Sequence, residues 1–401
     1  MVRIQKTASD SKFIDLINNK RLLETFFELL KIKSPSRDEK QIADYVSDIL
    51  RRLGLTVITD DAGKKIGSNA GNIIALLESN YENGATRTRY SKSVSNKIPP
   101  LFFGAHLDTV SINGEIQPEI REKKIVNKNK NFILGADDKV AIAAIIEAIR
   151  TIKDLKIKTG DIYLIFTIAE EVGLLGSKNM NLKPLKAKYG FLFDGDGDIG
   201  TIFNQAPFYN AIDITIIGKA AHAGISPEKG LNAIQVASYA ISKMKLGRIE
   251  PGATCNIGII EGGVAINIVP EKVEIKAEAR SLEEEKLENL TGQIINDFVK
   301  CAKENGAKAK FKIKREYDGF KISENELPII MAKNVLKKLG IKSKIISTVG
   351  GSDVNILNSK GKMAINLSAG MENVHSSKEY IKIAELEKLT AFILELCTYK
   401  K

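Results

Sequence analysis

Residues 139–152 read KVAIAAIIEAIRTI, an apolar helical stretch without proline or glycine, and its neighbours decide the fold. Before it stand the short β-branched or apolar runs 55–59, 72–77 and 101–103, and after it the run 162–167. Strands alternating with helices predict an α/β layer, a mostly parallel sheet flanked by helices. In such sheets chemistry gathers at the carboxyl ends of the strands. Further towards the start, Ser36-Arg-Asp-Glu39 has the form of a capping box, followed by Ile42, Val46, Ile49, Leu50 and Leu53 at helical spacing until Gly54.

From about residue 211 the rhythm changes. AIDITIIG (211–218), a helix over about 231–244, TCNIGII (254–260), VEIKAEAR (273–280), a Glu/Lys-rich helix over about 283–302 and AKFKIKR (309–315) follow one another. That order is the split βαβ, ferredoxin-like unit, here an insertion over 209–315. The α/β pattern resumes with a helix over about 324–339, a strand at 344–348 and a last helix over about 384–396. The expected division is therefore a discontinuous catalytic domain, 1–208 with 316–401, interrupted by the inserted one.

The chain has 401 residues, 43% of them hydrophobic, enough for two or three domains around large cores. Its 60 basic and 49 acidic residues leave +11, a balance that could suit an anionic partner. The basic residues are thinly spread, however. The densest run, REKKIVNKNK (121–130), has no aromatic interleaved for base stacking and reads as a solvated loop or hairpin. No nucleic-acid partner is expected. Cys255, Cys301 and Cys397 lie far apart, which argues against a disulfide framework or a cysteine zinc site and fits a reducing cytoplasm. Neither a signal-peptide core nor a run of about 20 apolar residues is present, so no membrane span is expected.

Three histidines are all the chain contains, in GAHLDTV (His106), KAAHAGISPEKG (His222) and MENVHSSKEYI (His375). Asp108 lies two residues after His106, so in extended chain both face one side, the placement of a carboxylate that orients a ligating imidazole. Asp137 and Asp138 stand in LGADDK, where helix capping is the bland reading for one of them. Glu170 and Glu171 follow the run 162–167, and FDGDGD offers Asp194, Asp196 and Asp198 after another apolar run. Alone, the glutamate pair would be a helix cap. So many acids and imidazoles at one sheet edge would repel one another without a cation. Histidine with carboxylate and no thiolate suits zinc, with cobalt or manganese possible, and the supply is rich enough for two ions sharing one carboxylate.

In the order GAHLDTV, LGADDK, TIAEEVGLLGS, FDGDG, KAAHAG, EGGVAINIVP with EAR, GGSD and HSSKEYI, the chain resembles di-zinc metallopeptidases of the aminoacylase and carboxypeptidase G type, and most closely the peptidase T-like family, from about Leu22 to Ile393. The resemblance implies that Asp137 bridges two zinc ions, with His106 and Asp194 on one and Glu171 and His375 on the other. It implies that Asp108 orients His106, that Glu170 is the general base, and that the Asp137–Asp138 peptide is cis. His222 would reach into a partner subunit's site to stabilise the oxyanion. Asn267, Arg280, Gly351 and Ser352 would contact substrate. Asp194 rather than Asp196 matches the family's register, though FDGDG offers both. Val140-Ala141 departs from the alanine-glycine common in relatives. The activity implied is that of a cytoplasmic aminopeptidase on short peptides, homodimeric through the inserted domain. The same machinery could serve a dipeptidase, a carboxypeptidase or an N-acyl amino acid hydrolase. A reading of another class, a non-catalytic basic binding protein, is opposed by the intact set of ligands and base.

Overall fold

The computed structural model describes residues 13–80, 99–111 and 114–399. The first twelve residues, included in the reading of the N-terminus as free of a signal peptide, lie outside them. The chain divides into two compact units. One takes the residues up to Asn204, Ile322–Ile346 and those from Ser352 onward; the other takes Gln205–Lys321 and Ser347–Gly351.

The first unit is built on a mixed sheet. Its centre is parallel: Ile162–Thr167, Leu101–His106, Tyr189–Asp196 and Met363–Glu372 lie side by side in that order. Helical crossovers separate these strands in sequence, which is what parallel pairing requires. Its margins are antiparallel. Thr56–Thr59 and Ile73–Leu77 flank one side, while Tyr380–Lys382 and the hairpin Pro118–Arg121/Lys124–Asn127 flank the other. The basic run 121–130 thus supplies a hairpin, turning at Glu122 and Lys123, both with positive φ.

Lys139–Asp154 is buried along almost its whole length, as an all-round apolar helix must be. It packs against Asn19–Lys31, Ile383–Cys397 and the strand Leu101–His106. Val140 and Ala141 are fully buried within it, so the departure from the family's alanine-glycine is absorbed in packing. Phe103, Phe191 and Phe193 stack with ring centroids 5.7 and 6.3 Å apart, and Phe392 meets Phe193 edge-on at 6.3 Å. This aromatic layer fixes the central strands against one another and therefore fixes the positions of their carboxyl ends.

The second unit is a five-stranded antiparallel sheet in the order Gly247–Glu250, Ala253–Gly262, Lys272–Ser281, Phe208–Ile217, Lys308–Tyr317. The helices Ala233–Lys243 and Glu284–Glu304 pack on it and on each other. Ile212, Ile214 and Ile216 alternate inward from one strand and meet Val236, Leu287 and Phe298 from the helices. Cys255 and Cys301 are buried in the same core, and all three cysteines are free thiols. Among the described residues, no helix is long and apolar enough to cross a membrane.

Candidate metal centre

All four central strands end at one edge, and each delivers a polar group there. His106 is the last residue of its strand, Glu170 and Glu171 follow Thr167 by a short turn, Asp194 lies near the end of its strand, and His375 stands three residues past Glu372. Asp137 comes from the turn that opens Lys139–Asp154.

The carboxylate of Asp137 lies between two imidazoles. Its Oδ1 is 3.0 Å from His106 Nε2 and its Oδ2 is 3.2 Å from His375 Nε2. Glu171 Oε1 is 2.8 Å from the same nitrogen of His375, and Asp194 Oδ1 is 3.8 Å from His106 Nε2. Ligand atoms of His106, Asp137 and Glu171 all fall within 4.8 Å of one another, a separation at which one cation can touch all three. The Asp137–Asp138 peptide is cis. Of the other acids in FDGDGD, Asp196 is exposed and Asp198 pairs with Lys382 at 2.7 Å.

Electrostatics show what this arrangement needs. Burial works against charge on Asp137, but the two imidazoles outweigh it and hold its carboxyl below the usual range. Contact with Asp137, then with Glu171, raises His375 to about 10. Burial also opposes a proton on His106, and Asp108 and Asp137 overcome it. The remaining acids go the other way. Burial first, then the charge of Asp194, pushes Glu170 well up; burial, then Asp137, does the same to Asp194. Excess buried negative charge therefore disfavours ionisation of these two acids, and divalent cations would offset it. The donor set, imidazole and carboxylate without thiolate, fits such ions.

Asp108 behaves differently from the expected imidazole-orienting carboxylate. His106 Nδ1 hydrogen-bonds the main-chain carbonyl of Asp108 at 2.8 Å, while the nearest carboxylate oxygen is 3.6 Å away. That carboxylate instead accepts from the backbone N–H groups of Glu170 and Glu171, at 2.9 and 3.1 Å, and from Ser36 Oγ at 2.6 Å. Glu170 is itself buried, and its carboxylate accepts no hydrogen bond among the described residues.

Ser36 and Glu39 do not form the expected capping box. The helix Lys40–Arg52 begins at Glu39 with no side-chain cap. Glu39 is fully buried and turns away to accept from Ala169 N, Arg37 N and Ser68 Oγ. Glu379, hidden in HSSKEYI, is a second buried acceptor of this kind, for the N–H groups of Gly135, Ala136 and Asp137 at 2.7, 2.8 and 3.2 Å. Burial pushes its pKa up to about 7 despite those bonds. Asp138 provides no side-chain cap for its helix either; it accepts from His106 N at 3.3 Å.

In the second unit His222 is exposed, and its Nδ1 accepts from Gly224 N and Ile225 N, both at 3.2 Å. Neutral imidazole so held carries its proton on Nε2, which makes that nitrogen a donor. Asn267 is exposed, with its carbonyl bonded to Ala223 N. Arg280 lies over the Tyr209 ring at 4.6 Å, donates to Glu278 at 3.0 Å and leaves a buried Nε unpartnered. Gly351 has no room for a side chain, since a Cβ would sit 2.1 Å from Tyr317 Oη. Ser352, in the first unit, is buried, and its hydroxyl belongs to the capping box of Asp353–Ser359.

Comparison with known proteins defines the class. Residues 210–306 match the peptidase dimerisation domain of the M20 type, and residues 89–216 match peptidase family M28. The chain belongs to the peptidase T-like family of metallopeptidases. It is 37% identical to the uncharacterized protein YqjE of Bacillus subtilis (strain 168), over 95% of this chain and 98% of that one. The crystal structure of aminopeptidase PepT from Bacillus cereus is similar with a TM-score of 0.84 at 36% identity, covering 96% of this chain and 99% of its own. A tripeptidase from Staphylococcus aureus reaches 0.88 at 35% identity, covering 96% and 98%.

Proposed function

We propose that the chain is a zinc-dependent exopeptidase, an aminopeptidase acting on tripeptides or peptides of similar length. The observation that carries this is the Asp137 carboxylate, with one oxygen 3.0 Å from His106 and the other 3.2 Å from His375. A bridging ligand between two cations has this disposition. His106 and Asp194 would hold one ion and Glu171 and His375 the other, with Asp137 placed between the two pairs. Zinc fits the donors, and cobalt or manganese could replace it. When bound, the ions supply Lewis acidity towards a water and towards the scissile carbonyl.

Glu170 is the general base. Its carboxylate accepts no hydrogen bond among the described residues, and its own backbone N–H is fixed by Asp108, so it can take a proton from the attacking water as the new C–O bond forms. The same group returns the proton to the leaving amine as the C–N bond breaks. His222, a donor at Nε2, stabilises the oxyanion in the neighbouring subunit's site. Support for that homodimer comes from the dimerisation-domain match, and the inserted domain, 209–315, is the segment that forms it. Arg280, with a buried Nε free to donate, clamps a peptide carboxylate, and Asn267 and the Gly351-Ser352 loop complete the substrate contacts. The three free, buried cysteines agree with a cytoplasmic location.

Metal analysis together with a panel of di- and tripeptides, free and N-blocked, tests the proposal. About two metal equivalents and a preference for free-amine tripeptides are expected. Preference for N-blocked amides would reassign the chain to the N-acyl amino acid hydrolases, and the absence of both metal and hydrolysis would refute the enzyme.

A further inference from the structure

Four consecutive backbone N–H groups in the turn that carries the two glutamates each donate to a buried side chain. Ile168 N reaches Asn72 Oδ1 at 3.1 Å, Ala169 N reaches Glu39 Oε1 at 2.9 Å, and Glu170 N and Glu171 N take the two oxygens of Asp108 at 2.9 and 3.1 Å. Ala169 has φ +50°, in the left-handed region that a residue with a Cβ seldom adopts unless its surroundings impose it. The three acceptors are fixed in turn. Asp108 accepts from Ser36 Oγ, Glu39 from Ser68 Oγ and Arg37 N, and Asn72 donates to Asp60 Oδ2 and the Gly176 carbonyl, both at 3.0 Å.

The carbonyls of Ala169 and Glu170 accept from within the turn, from Leu175 N at 3.0 Å and from Gly173 N and Leu174 N at 3.1 and 2.8 Å, whereas its N–H side is held by the buried side chains alone. Of the two glutamates only Glu171 meets His375, at 2.8 Å, and the Glu170 carboxylate accepts no hydrogen bond among the described residues. We propose that Ser36, Glu39 and Asn72 are positioning residues that lock this turn, so that one glutamate is presented as ligand and its neighbour as base. None of the three bonds a ligand side chain; they act through backbone N–H groups and through Asp108. The assignment rests on the proposed di-metal site, and its test separates the two.

Glu39→Ala removes the acceptor for Ala169 N, whereas Glu39→Gln keeps a carbonyl oxygen there. Ser36→Ala is a milder variant that frees one side of Asp108. Each is compared with wild type in the full chain by zinc titration of the metal-free protein, by the visible spectrum of the cobalt form, by kcat and KM on a tripeptide, and by amide exchange of residues 168–171 without metal. Partners of this kind typically carry about 10- to 100-fold of metal affinity or activity. The expected result for Glu39→Ala is faster exchange at 168–171, a loss of that size in one of two zinc equivalents and in kcat, and little change in KM. Glu39→Gln should restore all of these to within about threefold, and Ser36→Ala should show a smaller loss in the same direction. A folded Glu39→Ala protein that binds both zinc ions with wild-type affinity and protects 168–171 overturns the proposal. Should Glu39→Ala not fold, an unchanged zinc titration and exchange in Ser36→Ala overturns it equally. Wild-type protein that binds no zinc sinks the di-metal reading instead, while the metal-free exchange still reports on the lock.

Discussion

Replacing Glu170 with glutamine separates base from ligand more cleanly than any other single change. The side chain keeps its size, and the backbone N–H that positions it still finds Asp108 Oδ1 at 2.9 Å. Its carboxylate has no hydrogen bond to lose among the described residues, so the fold and the neighbouring ligands should be undisturbed. What disappears is the capacity to accept a proton. A positioned general base contributes about 100- to 10,000-fold, or about 3–5 kcal/mol of barrier at 1.36 kcal/mol per tenfold. Steady-state hydrolysis of a tripeptide, with metal content measured on the same sample, should show kcat reduced by that factor at a near-normal zinc stoichiometry. Glu171→Gln is the control. Its carboxylate meets His375 at 2.8 Å, and a neutral amide there should weaken one of the two metal sites. Equal metal loss in both variants, or Glu170→Gln activity within tenfold of wild type, would show the roles to be wrongly divided.

Four further outcomes can be checked. Removing metal with a chelator should abolish hydrolysis and lower the melting temperature, with zinc restoring both, because ions that bind the folded state alone stabilise it by about 2.7 kcal/mol at 100 times Kd; scanning calorimetry with and without zinc reads this. His222→Ala should lower kcat by about 100- to 1,000-fold with zinc content unchanged, the usual cost of one oxyanion donor. Gly176→Ala would place a Cβ 2.0 Å from the Ile168 carbonyl and 2.7 Å from Asn72 Oδ1. Urea denaturation should show at least about 1–3 kcal/mol of destabilisation from the forced shift, and zinc titration a weakened site. Arg21→Ala would take from the fully buried Glu147 its two hydrogen bonds to Arg21, at 2.8 Å each, and leave it Arg150 at 4.0 Å; about 1.5–3 kcal/mol should be lost in the same denaturation assay, with kcat preserved.

How much of this was legible in the sequence depended on whether a residue advertises its chemistry. His106, Asp137, Glu171, Asp194 and His375 stood out because imidazoles and acids are rare behind apolar runs, and the structure gathers all five at one sheet edge. Ser36 and Glu39 were misread for a physical reason. Ser-x-x-Glu describes a helix cap, but it equally describes a donor to Asp108 and an acceptor for a distant turn, and only the packing of residues 34–39 beside Asp108 and Ala169 distinguishes the two. Glu379 was missed because its partners are backbone N–H groups, which leave no trace in residue identity. Asp108 holds His106 through its carbonyl, a contact that side-chain spacing cannot reveal. The sheet's margins were unreadable likewise. Tyr380–Lys382 pairs with Lys124–Asn127 across some 250 positions of sequence, and antiparallel partners so remote share no local signal.

The order of the chain adds a consequence for biosynthesis. His375 is brought to Asp137 by Met363–Glu372, which pairs in parallel with Tyr189–Asp196, and in sequence the residues of the whole second unit lie between His375 and the other four. As the chain leaves the ribosome at about 5–20 residues per second, the first four proposed ligands emerge well before the fifth. For that interval of roughly ten seconds or more the nascent protein lacks His375. A peptidase so arranged cannot complete its hydrolytic centre until nearly all of its own sequence has been translated.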